Sequence, residues 1–189
     1  VGAGARVTVA SIAEDQLRVL EEHYQGRIET LLSSPRALER VVKGADVLVG
    51  AVLVEGRRAP VVITREMVRS MGPGAVIVDV AVDQGGCVET TRPTDHLNPI
   101  YVEEGVVHYA VPNMPGSVPR TSSSALTIRT LPFILTVANY GFEEAVARHR
   151  ELHRAVNAYR GVITHQGVAE SLGREWRSLD ELIAANGAG

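Results

Sequence analysis

One stretch combines residue types and spacing that could do chemistry: Val76-Ile-Val-Asp-Val-Ala-Val82-Asp83-Gln-Gly-Gly86. Val76 to Val82 is an apolar run interrupted only by Asp79, and it reads as a strand buried on both faces, as in a parallel sheet covered by helices. Ligands of open α/β sheets bind just beyond the carboxyl ends of the strands. Asp83 stands at such an end, where a carboxylate can handle protons. Gly85 and Gly86 let the backbone come close to a ligand. A second candidate is Asn113-Met114: the Asn amide can bond a carboxamide through both its oxygen and its nitrogen, beside a soft apolar Met. Cys87, the single cysteine, reads as a small packing residue beside a strand end and not as a nucleophile. His149 and His153 lie one helical turn apart, enough for a two-point metal grip. No third ligand is in view, so the pair reads as part of a polar helix face and no metal site is expected.

The elements that must position these groups follow from periodicity and punctuation. Val7–Ala10 is a short strand. Leu17, Leu20 and Tyr24 mark a helix over Glu14–Tyr24. Ile28–Leu32 is a strand, Ser34 an N-cap and Pro35 a first helical residue for a helix through Lys43 that stops at Gly44. Asp46–Leu53 reads as the next buried strand, 54–59 as a polar loop, and Thr64 as the cap of a helix through Met71. Gly72-Pro-Gly74 turns the chain into the Asp79 strand. A loop from Gly85 to Asn98 leads to the strand Val106–Val111, in which His108 is a sheet histidine. Thr121–Ser124 starts a helix with Leu126, Ile128 and Leu131, which Pro132 should kink or divide. A second helix is expected over Phe142–Tyr159, then Gly161–His165 and a short helix to Gly173. The tail from Arg174, including Trp176, carries no signal.

Strands alternating with helices at this spacing give an α/β fold, a doubly wound Rossmann-type parallel sheet. Such a unit should open strand, G-x-G-x-x-G, helix. Gly2-x-Gly4 precedes a strand and opens no helix, so the first strand and phosphate loop are expected to lie upstream, in a longer protein of which this is the C-terminal part. The chain has 189 residues, 45% hydrophobic and 22% charged, with a net charge of −3. It has material for a sizeable core and no basic surface for nucleic acid or anionic membrane. Its longest clean apolar run, Val47–Val54, is far short of the ~20 residues that span a bilayer. One cysteine suits a reducing cytosol.

The motifs V-D-V-A-V-D-Q-G-G (78–86), E-T-T-R-P-T (89–94) and N-M-P-G-S-V-P-R-T-S (113–122) resemble alanine dehydrogenase, a family related to the NAD-binding subunit of the proton-translocating nicotinamide nucleotide transhydrogenase. The resemblance runs from about Val7 to about Gly173. It implies NAD as cofactor, with contacts from Ser11, Gln16, Ser33, Val52, Leu53, Val80, Ala81, Val82, Asp83, Arg92, Val111, Pro112, Asn113 and Met114. Asn113 and Met114 would lie against the nicotinamide. Ser11 stands where the family has an acidic group for the ribose hydroxyls, which leaves NADP open. No arginine follows to hold a 2′-phosphate, and Glu14 and Asp15 oppose one, so NAD is preferred. Pro112, where many members carry alanine, removes one backbone donor.

The resemblance further implies reversible oxidative deamination of L-alanine to pyruvate and ammonium, with Asp83 catalytic. The family's other groups, a histidine, a lysine and an arginine, come from the upstream region; the one lysine here, Lys43, fits no substrate motif. Residues 1–120 would be a partial dinucleotide-binding domain, and 121–189 helices completing a substrate domain. The chain alone is expected to be inactive, its partners being the N-terminal half and further copies in a cytoplasmic homohexamer. Two alternatives stand beside this: an NAD-binding transhydrogenase component, and a non-catalytic dinucleotide-binding paralogue, for which Ser11 argues.

Overall fold

The computed structural model describes residues 1–187, which divide into two compact units, 1–52 with 60–112 and 53–59 with 113 onward.

Unit one is α/β. Its elements are β1 (Thr8–Ser11), α1 (Glu14–Tyr24), β2 (Glu29–Leu32), α2 (Pro35–Val42), β3 (Val47–Gly50), α3 (Arg65–Ser70), β4 (Val76–Asp79), β5 (Ile100–Glu103) and β6 (Val106–Tyr109). β1 and β2 pair in parallel as a two-stranded sheet, Ser11 opposite Leu32. A second sheet has the order β3-β4-β6-β5, parallel except for the β5–β6 hairpin, with Gly50 opposite Asp79. The helix starts follow the sequence signals. Ser34 accepts from the Ala37 N–H and Thr64 from the Met67 N–H, each satisfying a donor that the first helical turn leaves over. Ile77, Val68, Val106 and Val111 are the heart of the core, all fully buried.

Two expectations need correction here, and one strand was not expected. The Val76–Val82 run is not one strand: β4 stops at Asp79 and Val80–Gln84 forms a 3-10 turn. The Asp79 side chain accepts from the Ala81 N–H and so caps the turn, a local bond that competes with the sheet ladder. β3 is not buried on both faces: the alternate residues Val47 and Val49 are 59% and 61% exposed, so one face of the strand is left uncovered among the described residues. A hairpin partner, β5, precedes β6, returning through Glu104 and Gly105 at positive φ. The hairpin is clamped to α3, since Arg65 meets Glu103 at 2.6 Å and Glu104 at 2.7 Å, and Arg69 meets Glu104 at 2.8 Å.

Unit two contains α4 (Pro119–Tyr140), α5 (Phe142–Arg148), α6 (Arg150–Ala155), the hairpin β7 (Ala158–Tyr159) and β8 (Val162–Ile163), α7 (Gln166–Leu172) and α8 (Leu179–Gly187). Pro132 does not divide α4, which runs unbroken through 22 residues. The helix expected over Phe142–Tyr159 is instead α5, a break at the extended residue His149, α6 and then a strand. The hairpin turn uses Arg160 and Gly161, both at positive φ, and sends the chain back along itself. Arg174 onward does hold structure, α8. The loop 53–59 joins this unit through α7: Ser171 donates to the Gly56 carbonyl at 3.0 Å and Arg57 pairs with Glu170 at 2.5 Å. No helix among the described residues is long and apolar enough to cross a membrane.

Candidate active site

Asp79, not Asp83, is the group around which the site segment is built. It is 1% exposed. Its Oδ1 accepts from the Ala81 N–H at 3.0 Å and the Cys87 thiol at 3.5 Å; its Oδ2 accepts from the Cys87 N–H at 2.9 Å, the Val88 N–H at 3.2 Å and the Thr91 hydroxyl at 2.6 Å. A buried charge is tolerated only when its lone pairs are filled in this way. Two glycines make room. A Cβ on Gly50 would sit 2.6 Å from the Cys87 sulfur, and one on Gly86 would sit 2.7 Å from the Thr91 methyl and 3.0 Å from Asp79 Oδ2. The close approach that Gly86 permits is therefore to Asp79. Gly86 also has φ +80°, and Gly85, which ends the 3-10 turn, has φ +94°.

A second anchor holds the far end of the segment. His108 is buried, and its Nδ1 lies 3.0 Å from the Val106 carbonyl. A carbonyl only accepts, so Nδ1 carries the hydrogen there, and Nε2 is hydrogen-bonded to the Thr90 hydroxyl at 2.7 Å. Tyr101 stacks on His108 at 4.9 Å; its hydroxyl donates to the Thr90 carbonyl and accepts from the Arg92 N–H. Burial pushes the Tyr101 phenol up from its usual pKa. The Arg92 guanidinium lies over the Tyr101 ring, 3.9 Å from its centre, a cation–π contact that holds the exposed side chain in place.

Most expected unit-one contacts follow the carboxyl end of a parallel strand. Ser11 ends β1, and Ser33 follows β2, its N–H donating to the Ser11 carbonyl. The Ser11 hydroxyl accepts from the Ala13 N–H and reaches the Gln16 side-chain oxygen at 3.4 Å, so these three residues form one cluster. Val52 follows β3, Val80–Asp83 follow β4, and Val111 and Pro112 follow β6. Ala81, Val82 and Val111 point into the core, whereas Val80 and Asp83 face outward. Leu53, Asn113 and Met114 belong to unit two, with Asn113 in the left-handed region at φ 52°, a conformation that asparagine tolerates.

Cys87 is fully buried, and burial, reinforced by the Asp79 charge, pushes its thiol up to about 11. It is a packing residue with a poor thiolate. Sequence reasoning passed over Asp79, Thr91 and Gln84. Gln84 Oε1 is shielded from solvent without a hydrogen-bond partner among the described residues, an acceptor left open next to Asp83. An acidic residue inside an otherwise apolar strand was the one available signal for Asp79. His153 pairs with Asp180 at 2.9 Å, and no metal-holding group of His, Cys, Asp and Glu occurs among the described residues.

Comparison with known proteins gives these features a context. Residues 1–166 match the family described as alanine dehydrogenase/PNT, C-terminal domain. The chain is 48% identical over 183 residues to the alanine dehydrogenase of Halomonas elongata, covering 97% of this chain and 49% of that protein. It is 48% identical over 184 residues to the alanine dehydrogenase of Lysinibacillus sphaericus, covering 97% and 50%. A solved L-alanine dehydrogenase superposes with a TM-score of 0.78 at 45% identity, over 91% of this chain and 47% of that one. A transhydrogenase from Sinorhizobium meliloti, 24% identical with a TM-score of 0.61, shares the fold. The chain spans about half the length of the curated relatives it matches. With its parallel α/β unit and a match over residues 1–166, the chain belongs to the alanine dehydrogenase/PNT family, as a form of that family's C-terminal domain.

Proposed function

We propose that this chain is the C-terminal part of an NAD-dependent alanine dehydrogenase, which converts L-alanine reversibly to pyruvate and ammonium. The observation that carries the reading is the identity of 48% along 97% of the chain to proteins of that name, joined to an outward-facing carboxylate, Asp83, just past a parallel strand. The strand order supports it too. The doubly wound order places a first strand beside the equivalents of β1 and β3, and here each of these has a partner on one side only among the described residues.

The residues present fit a dinucleotide. The Ser11, Gln16 and Ser33 cluster would hold the adenosine, Val52, Leu53 and Val80 would offer apolar side chains, and Ala81 and Val82, whose side chains are buried, would contribute backbone. Arg92, Val111, Pro112, Asn113 and Met114 would complete the cofactor contacts, with Asn113 on the carboxamide. A bound nicotinamide supplies the hydride acceptor. Asp83 orients the substrate amine and takes up or returns its proton, and an upstream half supplies the remaining catalytic groups. The same proposal divides the chain into a partial dinucleotide-binding domain, 1–120, and substrate-domain helices, 121–189. It makes the whole protein a cytoplasmic homohexamer, and NAD the preferred cofactor over NADP because Glu14 and Asp15 flank Ser11.

The test is alanine-dependent cofactor reduction, with NAD and NADP compared, for the 189-residue chain alone and for the protein with its upstream half. The expected result is no turnover from the chain alone and NAD-dependent turnover from the whole. Turnover of dinucleotide pairs without alanine would favour a transhydrogenase component instead. Cofactor binding with no turnover at all would indicate a non-catalytic relative.

A further inference from the structure

We propose that Asp79 is a positioning residue for the reaction: its buried carboxylate fixes the turn that carries Asp83, and the site works only while both of its oxygens accept. The inference rests on the reading of Asp83 given above. Asp79 and Asp83 are four residues apart but differ in circumstance, one buried and the other facing outward. Five donors converge on Asp79, from Ala81, Cys87 twice, Val88 and Thr91. They come from both ends of the excursion that Asp83 interrupts. Oδ1 holds the entry at Ala81, and Oδ2 holds the exit at Cys87, Val88 and Thr91. Asp83 lies between the two holds, so its position is set by Asp79 and not by a strand of its own.

The chemistry is specific to a carboxylate. A carboxamide keeps one acceptor oxygen, and its NH2 must then face either the Ala81 N–H or the three donors on the other side. The space is equally specific, since Gly50 and Gly86 leave no room for a Cβ beside the group. A polar residue needed only for packing would require neither both oxygens nor donors drawn from both ends of the turn.

The experiment uses the whole protein, chain plus upstream half, in four forms: wild type, Asp79→Asn, Thr91→Val and Thr91→Ser. Turnover with L-alanine is measured at saturating NAD and divided by the number of sites that bind NADH fluorometrically. Deuterium exchange of the peptide covering 80–91 is followed in parallel. Asp79→Asn is expected to lower kcat per NADH-binding site on the order of 10–100-fold, the scale of a misplaced catalytic group. The kcat/KM for alanine should fall at least as far as kcat, because Asp83 also orients the bound amine. Exchange in 80–91 should quicken. Thr91→Val should show a smaller loss of kcat and Thr91→Ser, which keeps the hydroxyl, should restore it; this pair decides the matter if Asp79→Asn does not fold. Unchanged kcat per site in a variant whose 80–91 exchange has quickened would overturn the proposal, as would unchanged exchange in Asp79→Asn. If the wild type itself shows no alanine turnover, the functional reading fails, and the exchange result still decides whether Asp79 holds the turn.

Discussion

The segment 79–92 and the helix α4 invert the usual relation between regularity and fixity. Past Asp79, the last residue of β4, the segment has a single 3-10 turn and otherwise no helix or named strand, yet Asp79, Cys87, Val88 and Thr90 are all buried and the chain is tied at Ala81, Cys87, Val88, Thr90, Thr91 and Arg92. α4 is regular for 22 residues, yet none of them is buried, and Leu126, Ile128, Leu131, Ile134 and Leu135 stand exposed. Helical hydrogen bonds satisfy a backbone without fixing its neighbours. A buried charge does the opposite: it recruits every donor within reach, and in doing so it fixes the position of a loop.

The comparison is broken most severely at its hub. Asp79→Ala strands the Ala81, Cys87 and Val88 N–H groups and the Thr91 hydroxyl, and denaturant unfolding is expected to show a loss on the order of 3–5 kcal/mol. Gly86→Ala combines a positive φ with the contact to Thr91 and should cost roughly 2–3 kcal/mol in the same measurement. Cys87 gives a chemical reading of the same region. With its sulfur fully buried and its thiol raised from 9.0 to about 11, alkylation at pH 8 should be at least roughly 100-fold slower in the folded chain than in urea, each pKa unit being tenfold in thiolate and burial slowing access further.

The α3–hairpin clamp shows how a half-buried carboxylate paired with arginines differs from a fully buried one. Hydrogen bonds from Arg69 and Arg65 draw Glu104 down from 4.5 to about 2. The folded pKa lies below the unfolded one, so the clamp contributes fully above about 4.5, and its contribution is lost as pH falls toward 2. Glu104→Gln should therefore flatten the acid side of the pH–stability curve between those values, while leaving the curve's shape above pH 5 unaltered. The mildest change is expected on α4. Ile128→Ser in the 189-residue chain should alter unfolding free energy by no more than about 0.5 kcal/mol. A larger loss would mean that this apolar face is covered in solution.

Local signals alone determined the helix starts at Ser34 and Thr64, the α1 span, the alternation that announces a parallel α/β fold, and the motifs that place the chain in its family. Each rests on residues a few positions apart, where chain geometry leaves few choices. Only the tertiary structure decided where the central strand ends, since Val80–Val82 are as apolar as Val76–Val78 and the stop comes from a carboxylate that finds its other donors eight to twelve residues later. It likewise decided that one face of β3 is uncovered among the described residues, that the loop 53–59 is held by α7 more than a hundred residues on, and that the Phe142–Tyr159 pattern becomes two helices and a strand. Those outcomes depend on partners distant in sequence, and a one-dimensional pattern records the residues but not which of them will meet.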